Sequence, residues 1–160
     1  MHSEIERKFL VKGDFLPFAS SSSRIRQGYI AHDAGRTVRV RTRGDKGYLT
    51  IKGPSDASGI SRAEWEREIP LQDALELMEL CIGGFIDKTR YLVPFGGRTF
   101  EVDVFHGDNE GLVFAELELG SPDVVFERPG WLGPEVTGDR RFYNSSLLKY
   151  PYKDWPEKLP

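Results

Sequence analysis

The sequence predicts an α+β protein made mainly of antiparallel β-strands, in which eight strands close into a tunnel-shaped barrel with a few flanking helices. Three observations predict this fold class. Eight segments alternate between charged and apolar residues with the period of two that strands require. Short turns rich in glycine, aspartate and proline separate most of these segments, and only two segments have the character of helices. The chain of 160 residues suits one domain with a substantial core, spanning residues 1–160.

The first five strands are expected in the first half of the chain. Their predicted ranges are residues 4–11, 24–30, 36–43, 47–52 and 61–69. The third and fourth strands form a hairpin, because a Gly-Asp-Lys-Gly turn separates two alternating segments. The four serines at residues 20–23 are expected to form a flexible polar link.

A central helix is expected to begin at Pro70, because apolar residues then recur with helical spacing. The glycine pair at residues 83–84 is expected to end it. Three more strands follow, at residues 85–93, 98–105 and 111–120. The tail is expected to contain an ordered loop or short helix at residues 131–139 and a final helix at residues 142–149.

Composition argues against several classes of protein. The chain has 22 basic and 25 acidic residues, so its formal net charge of -3 gives no general attraction to nucleic acids or anionic membranes. The single cysteine, Cys81, rules out a disulfide framework. There is no signal peptide pattern and no apolar run near the roughly 18 residues needed to cross a bilayer. We therefore expect a soluble, cytoplasmic protein that binds neither nucleic acid nor membranes.

The charged residues of the predicted strands fall on one face of each strand. An open antiparallel sheet with this face in water is the simplest interpretation of periodicity alone. However, the third strand carries only cations on this face, whereas the seventh and eighth carry only carboxylates, and solvated faces usually mix the two signs. The opposite, apolar face extends over about eight strands, and the two helices are too few to cover it.

A closed barrel explains both features. The charged faces would turn inward around a hydrated tunnel, and the apolar faces would pack outward under helices and a partner subunit, which makes a homodimer a candidate assembly. An eight-stranded barrel encloses about enough room for one small ligand. Lysine and arginine suit phosphate oxygens, and carboxylates suit Mg2+ or Mn2+. Together they predict a metal-chelated polyphosphate as the ligand.

The ordered set of charged blocks resembles the CYTH family, also called triphosphate tunnel metalloenzymes. The first block, Glu4-Ile5-Glu6-Arg7-Lys8, matches the ExExK signature of that family. Other blocks follow in family order over essentially the whole chain: Gln27-Gly28-Tyr29, Val38-Arg39-Val40-Arg41, Leu49-Thr50-Ile51-Lys52-Gly53, Ser61-Arg62-Ala63-Glu64-Trp65-Glu66, Asp87-Lys88-Thr89-Arg90-Tyr91, Glu101-Val102-Asp103, Glu116-Leu117-Glu118, Glu135-Val136-Thr137-Gly138-Asp139 and Tyr143-Asn144. The resemblance implies an eight-stranded barrel that acts on triphosphate compounds with a divalent metal, Mg2+ or Mn2+.

The resemblance also implies roles for individual residues. The metal ligands would be Glu4, Glu6, Asp103, Glu116 and Glu118. The triphosphate would be held by Lys8, Arg39, Arg41, Lys52, Lys88 and Arg90, with Glu64 and Glu66 orienting these side chains. For hydrolysis, we expect the catalytic base to be Glu4, Glu6 or a nearby carboxylate that accepts a proton from a metal-activated water, or Lys88 with a pKa lowered by neighbouring cations. The chain departs from some members at Thr50, where they carry a second lysine.

Several activities stay open at this point. Inorganic triphosphate is the favoured substrate, and the alternatives within the family are nucleoside or thiamine triphosphatase and adenylate cyclase. From another class, the tunnel could belong to a non-catalytic polyphosphate or nucleotide binding module. The many predicted carboxylates argue against such a module, because a protein that only binds anions has no use for them.

Overall fold

The computed structural model describes residues 2–160 as a closed, eight-stranded antiparallel barrel, which confirms the predicted fold class. The barrel strands are β1 (His2–Val11), β2 (Ser21–Asp33), β3 (Arg36–Arg43), β4 (Lys46–Lys52), β5 (Ser61–Ile69), β6 (Ile82–Phe95), β7 (Arg98–Phe105) and β8 (Val113–Glu118). Their order around the barrel is β1-β5-β4-β3-β2-β6-β7-β8, and β1 closes it by pairing with both β5 and β8.

A ninth strand, β9 (Leu132–Glu135), lies in the segment expected to be a loop or short helix. It pairs with the second half of β1, whereas β5 pairs only with the first half. Because β5 leaves β1 early, the backbone groups of β1 beyond that point need another partner, and β9 supplies it.

Two α-helices are found among residues 2–160: α1 (Leu71–Met78) and α2 (Asn144–Lys149). Helix α1 ends earlier than expected, since Gly83 and Gly84 belong to the start of β6. Both glycines have φ near +80°, a conformation that glycine adopts readily, so the pair redirects the chain within the strand. Neither helix is long or apolar enough to cross a membrane.

The remaining differences are local. The segment at residues 20–23 is not a flexible link, because β2 begins at Ser21 and pairs with β6 from there onwards. The final helix begins at Asn144 and follows a short 3-10 turn, Arg140–Phe142. Further 3-10 turns lie at Leu16–Phe18, Gly107–Asn109 and Tyr152–Asp154.

The apolar residues of the strands lie mainly on the outer surface of the barrel, under other parts of the chain. The outer faces of β1, β7 and β8 pack beneath residues 15–19 and 119–132, with Phe9, Phe100 and Trp131 buried in this layer. Helix α1 covers the other side, where Ala74 and Met78 contact Val40 of β3. Loops and 3-10 turns therefore cover much of the surface that two helices alone could not.

One end of the barrel interior is apolar. Phe105 and Phe114 lie on the inward-facing side of β7 and β8, with the same alternation as the charged residues of these strands. The ring of Phe105 stacks on that of Phe114, Phe114 contacts Phe142 of the C-terminal segment, and Phe142 contacts Trp155. We call these four side chains the aromatic plug. The C-terminal segment thus fills one end of the barrel, and the polar part of the interior becomes a cavity with this closed end.

Candidate active site

The inward polar side chains enclose a cavity of about 250 Å3. This volume lies just below the roughly 300–1,000 Å3 of pockets for drug-sized ligands, so the cavity suits a compact guest. The predicted site residues that line it are Glu4, Glu6, Lys8, Arg39, Arg41, Lys52, Glu64, Glu66, Lys88, Arg90, Glu116 and Glu118. Asp103 is fully buried and does not line the cavity.

Strand register explains why residues so far apart in the sequence meet here. Each strand presents alternate residues to the interior, and the neighbouring strand adds a residue directly opposite. Lys8 faces Glu116 across β1 and β8, and Lys52 faces Glu64 across β4 and β5. The cavity wall is therefore a mosaic of cations and carboxylates.

The guanidinium groups of Arg39 and Arg41 are only weakly neutralised in this wall. Both are mostly buried, and both rely on one carboxylate oxygen of Glu66, at 3.4 Å and 3.6 Å. The Nε–H groups of both arginines are buried without a hydrogen-bond partner among the described residues. Burial, with Arg39 and Arg90 nearby, lowers the pKa of Arg41. Unsatisfied donors and crowded cations are features that an oxyanion would relieve.

Thr50, which replaces a second lysine, takes part in this arrangement. Its hydroxyl donates to Glu66 at 2.6 Å and accepts from an Nη2–H of Arg39 at 3.1 Å. The threonine thus fixes the carboxylate that the two arginines share, and it also accepts from Arg39, which a charged lysine in its place could not do.

Asp103 lies beneath the cavity wall and holds two of its cations. Arg90 donates two hydrogen bonds to its carboxylate, at 2.8 and 3.0 Å, and the ammonium of Lys88 lies 2.7 Å from Oδ2. Burial opposes ionisation of Asp103, but Arg90 and Lys88 together lower its pKa. Both of its oxygens are therefore engaged by cations.

Lys88 is nearly inaccessible to solvent, although it reaches the cavity wall. Burial lowers the pKa of Lys88 to about 8, with Arg90 adding to the shift and Asp103 opposing it. Its ammonium also donates to Oδ1 of Asn144 at 2.9 Å. This lysine is fixed in position, and it is easier to deprotonate than an ordinary lysine.

The carboxylates of β1 and β8 crowd one another. Burial and the neighbouring Glu6 raise the pKa of Glu116, and burial and Glu4 raise that of Glu118. Within residues 2–160, no three acidic, histidine or cysteine side chains are grouped as a metal site. The donors themselves fit a hard divalent cation such as Mg2+ or Mn2+, because they are all carboxylates and a cation would relieve their repulsion.

In this structure, lysines neutralise the two carboxylates of β1. The ammonium of Lys52 contacts both oxygens of Glu4, at 2.8 and 2.9 Å, and that of Lys8 lies 3.4 Å from Glu6. Burial opposes protonation of Lys8, but Glu6, Glu116 and Glu4 raise its pKa to about 12. Lys8 therefore stays charged over the physiological range.

The structure adds residues that strand periodicity does not predict. Tyr29, Tyr143, Asn144 and Ser145 all line the cavity. The ring of Tyr143 packs 4.7 Å from the ammonium of Lys8, and Asn144 accepts hydrogen bonds from Lys88 and Gln27. The sequence does contain a signal for three of them, since Gln27-Gly28-Tyr29 and Tyr143-Asn144 are both family-like blocks.

The loop at residues 53–60 also lines the cavity, beside Tyr143. The hydroxyl groups of Ser55 and Tyr143 lie 3.2 Å apart. Gly59 packs directly on Gly138, since a Cβ atom on Gly59 would lie 2.6 Å from the Cα of Gly138. This contact joins the loop to the Glu135–Asp139 block.

The fold and the site together define a closed antiparallel barrel protein with an internal cavity lined by both cations and carboxylates. The sequence model of the CYTH domain matches residues 2–143. The chain therefore belongs to the CYTH domain family, as its charged blocks predicted.

Relatives with known names cover nearly the whole chain. An inorganic triphosphatase of Acetivibrio thermocellus is 52% identical over 158 residues, which are 98% of this chain and 100% of the relative. An inorganic triphosphatase of Nitrosomonas europaea is 36% identical over 149 residues, 91% of this chain and 96% of the relative. The crystal structure of the inorganic triphosphatase NE1496 matches with a TM-score of 0.64 and 33% identity, covering 92% of this chain and 95% of that chain.

Proposed function

We propose that this protein is a metal-dependent hydrolase that cleaves inorganic triphosphate. The observation that carries the proposal is the wall of the cavity, where undersatisfied guanidinium groups and crowded carboxylates face the same small space. A chelate of a polyanion with a divalent cation complements both halves of this wall. The names of the two relatives, which align over more than nine-tenths of the chain, support the same substrate.

The cations would bind and orient the triphosphate. Arg39 and Arg41 would bind phosphate oxygens through the terminal Nη groups of their side chains, and Lys8, Lys52, Lys88 and Arg90 would supply further donors. Forked guanidinium donors bind phosphate strongly, and they are stronger still in a cavity that excludes most water. Glu66 would hold the two arginines in place directly, with Thr50 bridging it to Arg39, and Glu64 would hold Lys52 at 3.5 Å.

The residues that fit a metal ion are Glu4, Glu6, Glu116 and Glu118. When bound, Mg2+ or Mn2+ supplies charge stabilisation on phosphate oxygens and acidifies a coordinated water. We assign Asp103 a positioning role in place of metal coordination, because both of its oxygens hold Lys88 and Arg90.

Lys88 is our candidate for the base that takes a proton from the attacking water. Its pKa of about 8 leaves an appreciable neutral fraction near neutral pH, as proton transfer requires. Asp103 and Asn144 fix the position of its nitrogen. Glu4 and Glu6 are the alternative bases, and each contacts a lysine in this structure.

A phosphate-release screen tests the proposal. The purified protein would be incubated with tripolyphosphate, ATP, thiamine triphosphate or pyrophosphate, each with Mg2+ or Mn2+. We expect fastest release from tripolyphosphate and none without metal. Conversion of ATP to cyclic AMP and pyrophosphate would instead indicate a cyclase, and tight tripolyphosphate binding without turnover would indicate a binding module.

We further propose a cytoplasmic location, where the free thiol of Cys81 would stay reduced. The homodimer also stays a proposal. Leu80 and Ile82, each 62% exposed near Phe85, are the candidate contact surface for a second copy. Light scattering coupled to gel filtration would measure the mass in solution, and a mass of 18.2 kDa would contradict the dimer.

A further inference from the structure

An ion pair within the cavity joins a residue proposed for the substrate to one proposed for the metal. Lys52, on β4, contacts both carboxylate oxygens of Glu4, on β1, at 2.8 and 2.9 Å. The side chains retain only 15% and 9% of their exposure, so the pair is largely removed from water. Each partner is therefore neutralised mainly by the other, and Glu64 lies farther from Lys52, at 3.5 Å.

We propose that Lys52 is an internal surrogate for the metal, and that the metal and the triphosphate bind cooperatively because each ligand takes one partner of the Lys52–Glu4 pair. The inference rests on the proposed function and adds that each of the two ligands promotes the binding of the other. Neither ligand alone satisfies both residues.

The argument is electrostatic. A divalent cation that binds alone at Glu4 would meet the ammonium of Lys52 at close range and displace it from its carboxylate. A triphosphate that binds alone at Lys52 would place its oxygens beside an unpaired Glu4. Like charges this close repel each other strongly at the effective dielectric of a partly buried site. When both ligands bind, the metal ion would lie beside Glu4 and the triphosphate beside Lys52, so each ligand is next to an opposite charge.

Lys52 is distinguished from the other cations by its contacts. Lys8 lies 3.4 Å from one oxygen of Glu6, and Arg39 and Arg41 share one oxygen of Glu66. Lys52 instead engages both oxygens of a proposed metal ligand, and Glu64 lies 3.5 Å away as a second partner. The coupling must also be reciprocal, since each ligand raises the affinity for the other by the same factor.

The first test measures Mn2+ binding alone by isothermal titration calorimetry, without any phosphate. We expect Lys52→Met to bind Mn2+ at least about tenfold more tightly than the wild type, because one competing positive charge is gone. Lys52→Arg keeps that charge and should bind as weakly as the wild type. The matched control is Lys46→Met on the same strand, whose exposed lysine pairs with Glu68 at 3.9 Å, and it should change nothing.

The second test measures tripolyphosphate binding in EDTA, and its first variant leaves Lys52 unchanged. Glu4→Gln frees Lys52 and should tighten metal-free binding by about tenfold, whereas the control Glu68→Gln should not. When Lys52→Met is also present, Glu4→Gln should raise the metal-free affinity for tripolyphosphate by a smaller factor. Unchanged Mn2+ affinity in Lys52→Met, or an equal Glu4→Gln gain with and without Lys52, would overturn the inference. Neither measurement requires turnover. The coupling between the two ligands could therefore be absent from a protein that hydrolyses tripolyphosphate, or present in a protein that does not.

Discussion

Glu6 and Glu118 lie directly opposite each other on β1 and β8, so two like charges face each other at one position of the ladder. Such pairs destabilise a sheet, and most sheets avoid them. Here the next inward pair, Lys8 and Glu116, carries opposite charges. A divalent cation would offset the local excess of carboxylate at the Glu6–Glu118 pair.

Replacing Glu116 with Gln should abolish metal-dependent phosphate release and leave the fold intact, because an amide oxygen is a weaker ligand for Mg2+. The exposed Glu79, at the end of α1, provides a control: Glu79→Gln should keep full activity. Full activity of Glu116→Gln would mean that this carboxylate does not serve the metal.

Glu116→Gln should also change how the stability of the protein depends on pH. The pKa of Glu116 is raised in the folded protein, by burial and then by Glu6, so its ionised form opposes folding. Glu116→Gln should therefore be more stable than the wild type at neutral pH. The difference should shrink as the pH falls and vanish below the ordinary glutamate value of about 4.3, where both states of the wild type are protonated. Chemical unfolding at several pH values measures this, and a stability gain that grows towards low pH would contradict it.

Replacing Arg41 with Met should separate binding from stability. The buried guanidinium has only a distant carboxylate partner, at 3.6 Å, and an unpaired Nε–H. We expect tripolyphosphate affinity to fall by roughly tenfold or more, while the free energy of unfolding rises by about 1–2 kcal/mol. Arg36→Met, at the exposed start of β3, should alter neither quantity by much. A destabilised Arg41→Met protein would show that the ligand-free cavity tolerates this charge better than its contacts indicate.

Replacing Asp103 with Asn should be costly, because it leaves Lys88 and Arg90 without their buried partner. Breaking a buried ion pair from one side costs about 3–5 kcal/mol. Asp87→Asn is the comparison, since its partner Arg24 retains 59% of its exposure and surface pairs contribute about 0–1 kcal/mol. Urea denaturation distinguishes the two. Equal losses in both variants would remove Asp103 from its positioning role.

Replacing Gly59 with Ala should disturb the loop at residues 53–60, which lines the cavity. Gly59 has φ +76° and its added Cβ would lie 2.6 Å from Gly138. Gly97→Ala is a matched control, since Gly97 has φ +75° with nothing within 4 Å of its Cβ position. Each should lose about 1 kcal/mol from backbone strain, and only Gly59→Ala should lose more and weaken tripolyphosphate binding. Identical melting temperatures for the two variants would argue against a tight contact at Gly138.

Most residues of the cavity wall can be predicted from the sequence, because the alternation of side chains along a strand depends only on the local sequence. Alternation along β3 was enough to put Arg39 and Arg41 on one face, and the segregation of charges by strand indicated which way that face turns. Asp103 shows the limit of this reasoning. It shares the parity of Glu101, which lines the cavity, but it lies opposite Phe114 of the aromatic plug and is fully buried.

The C-terminal contributions could not be found from periodicity. Tyr143 and Asn144 meet Lys8 and Lys88 across long stretches of chain, through irregular segments that have no repeating pattern. The pairing of β9 depends on where β5 leaves β1, which is a property of the barrel geometry and not of the Leu132–Glu135 sequence.

The most direct test of the central claim is 31P NMR of tripolyphosphate incubated with the protein and Mg2+ in 18O-labelled water. Attack of water on the terminal phosphorus predicts equal amounts of pyrophosphate and orthophosphate, with the label in orthophosphate and no reaction in EDTA. Tripolyphosphate that persists unchanged beside folded protein, with both Mg2+ and Mn2+, would contradict the account.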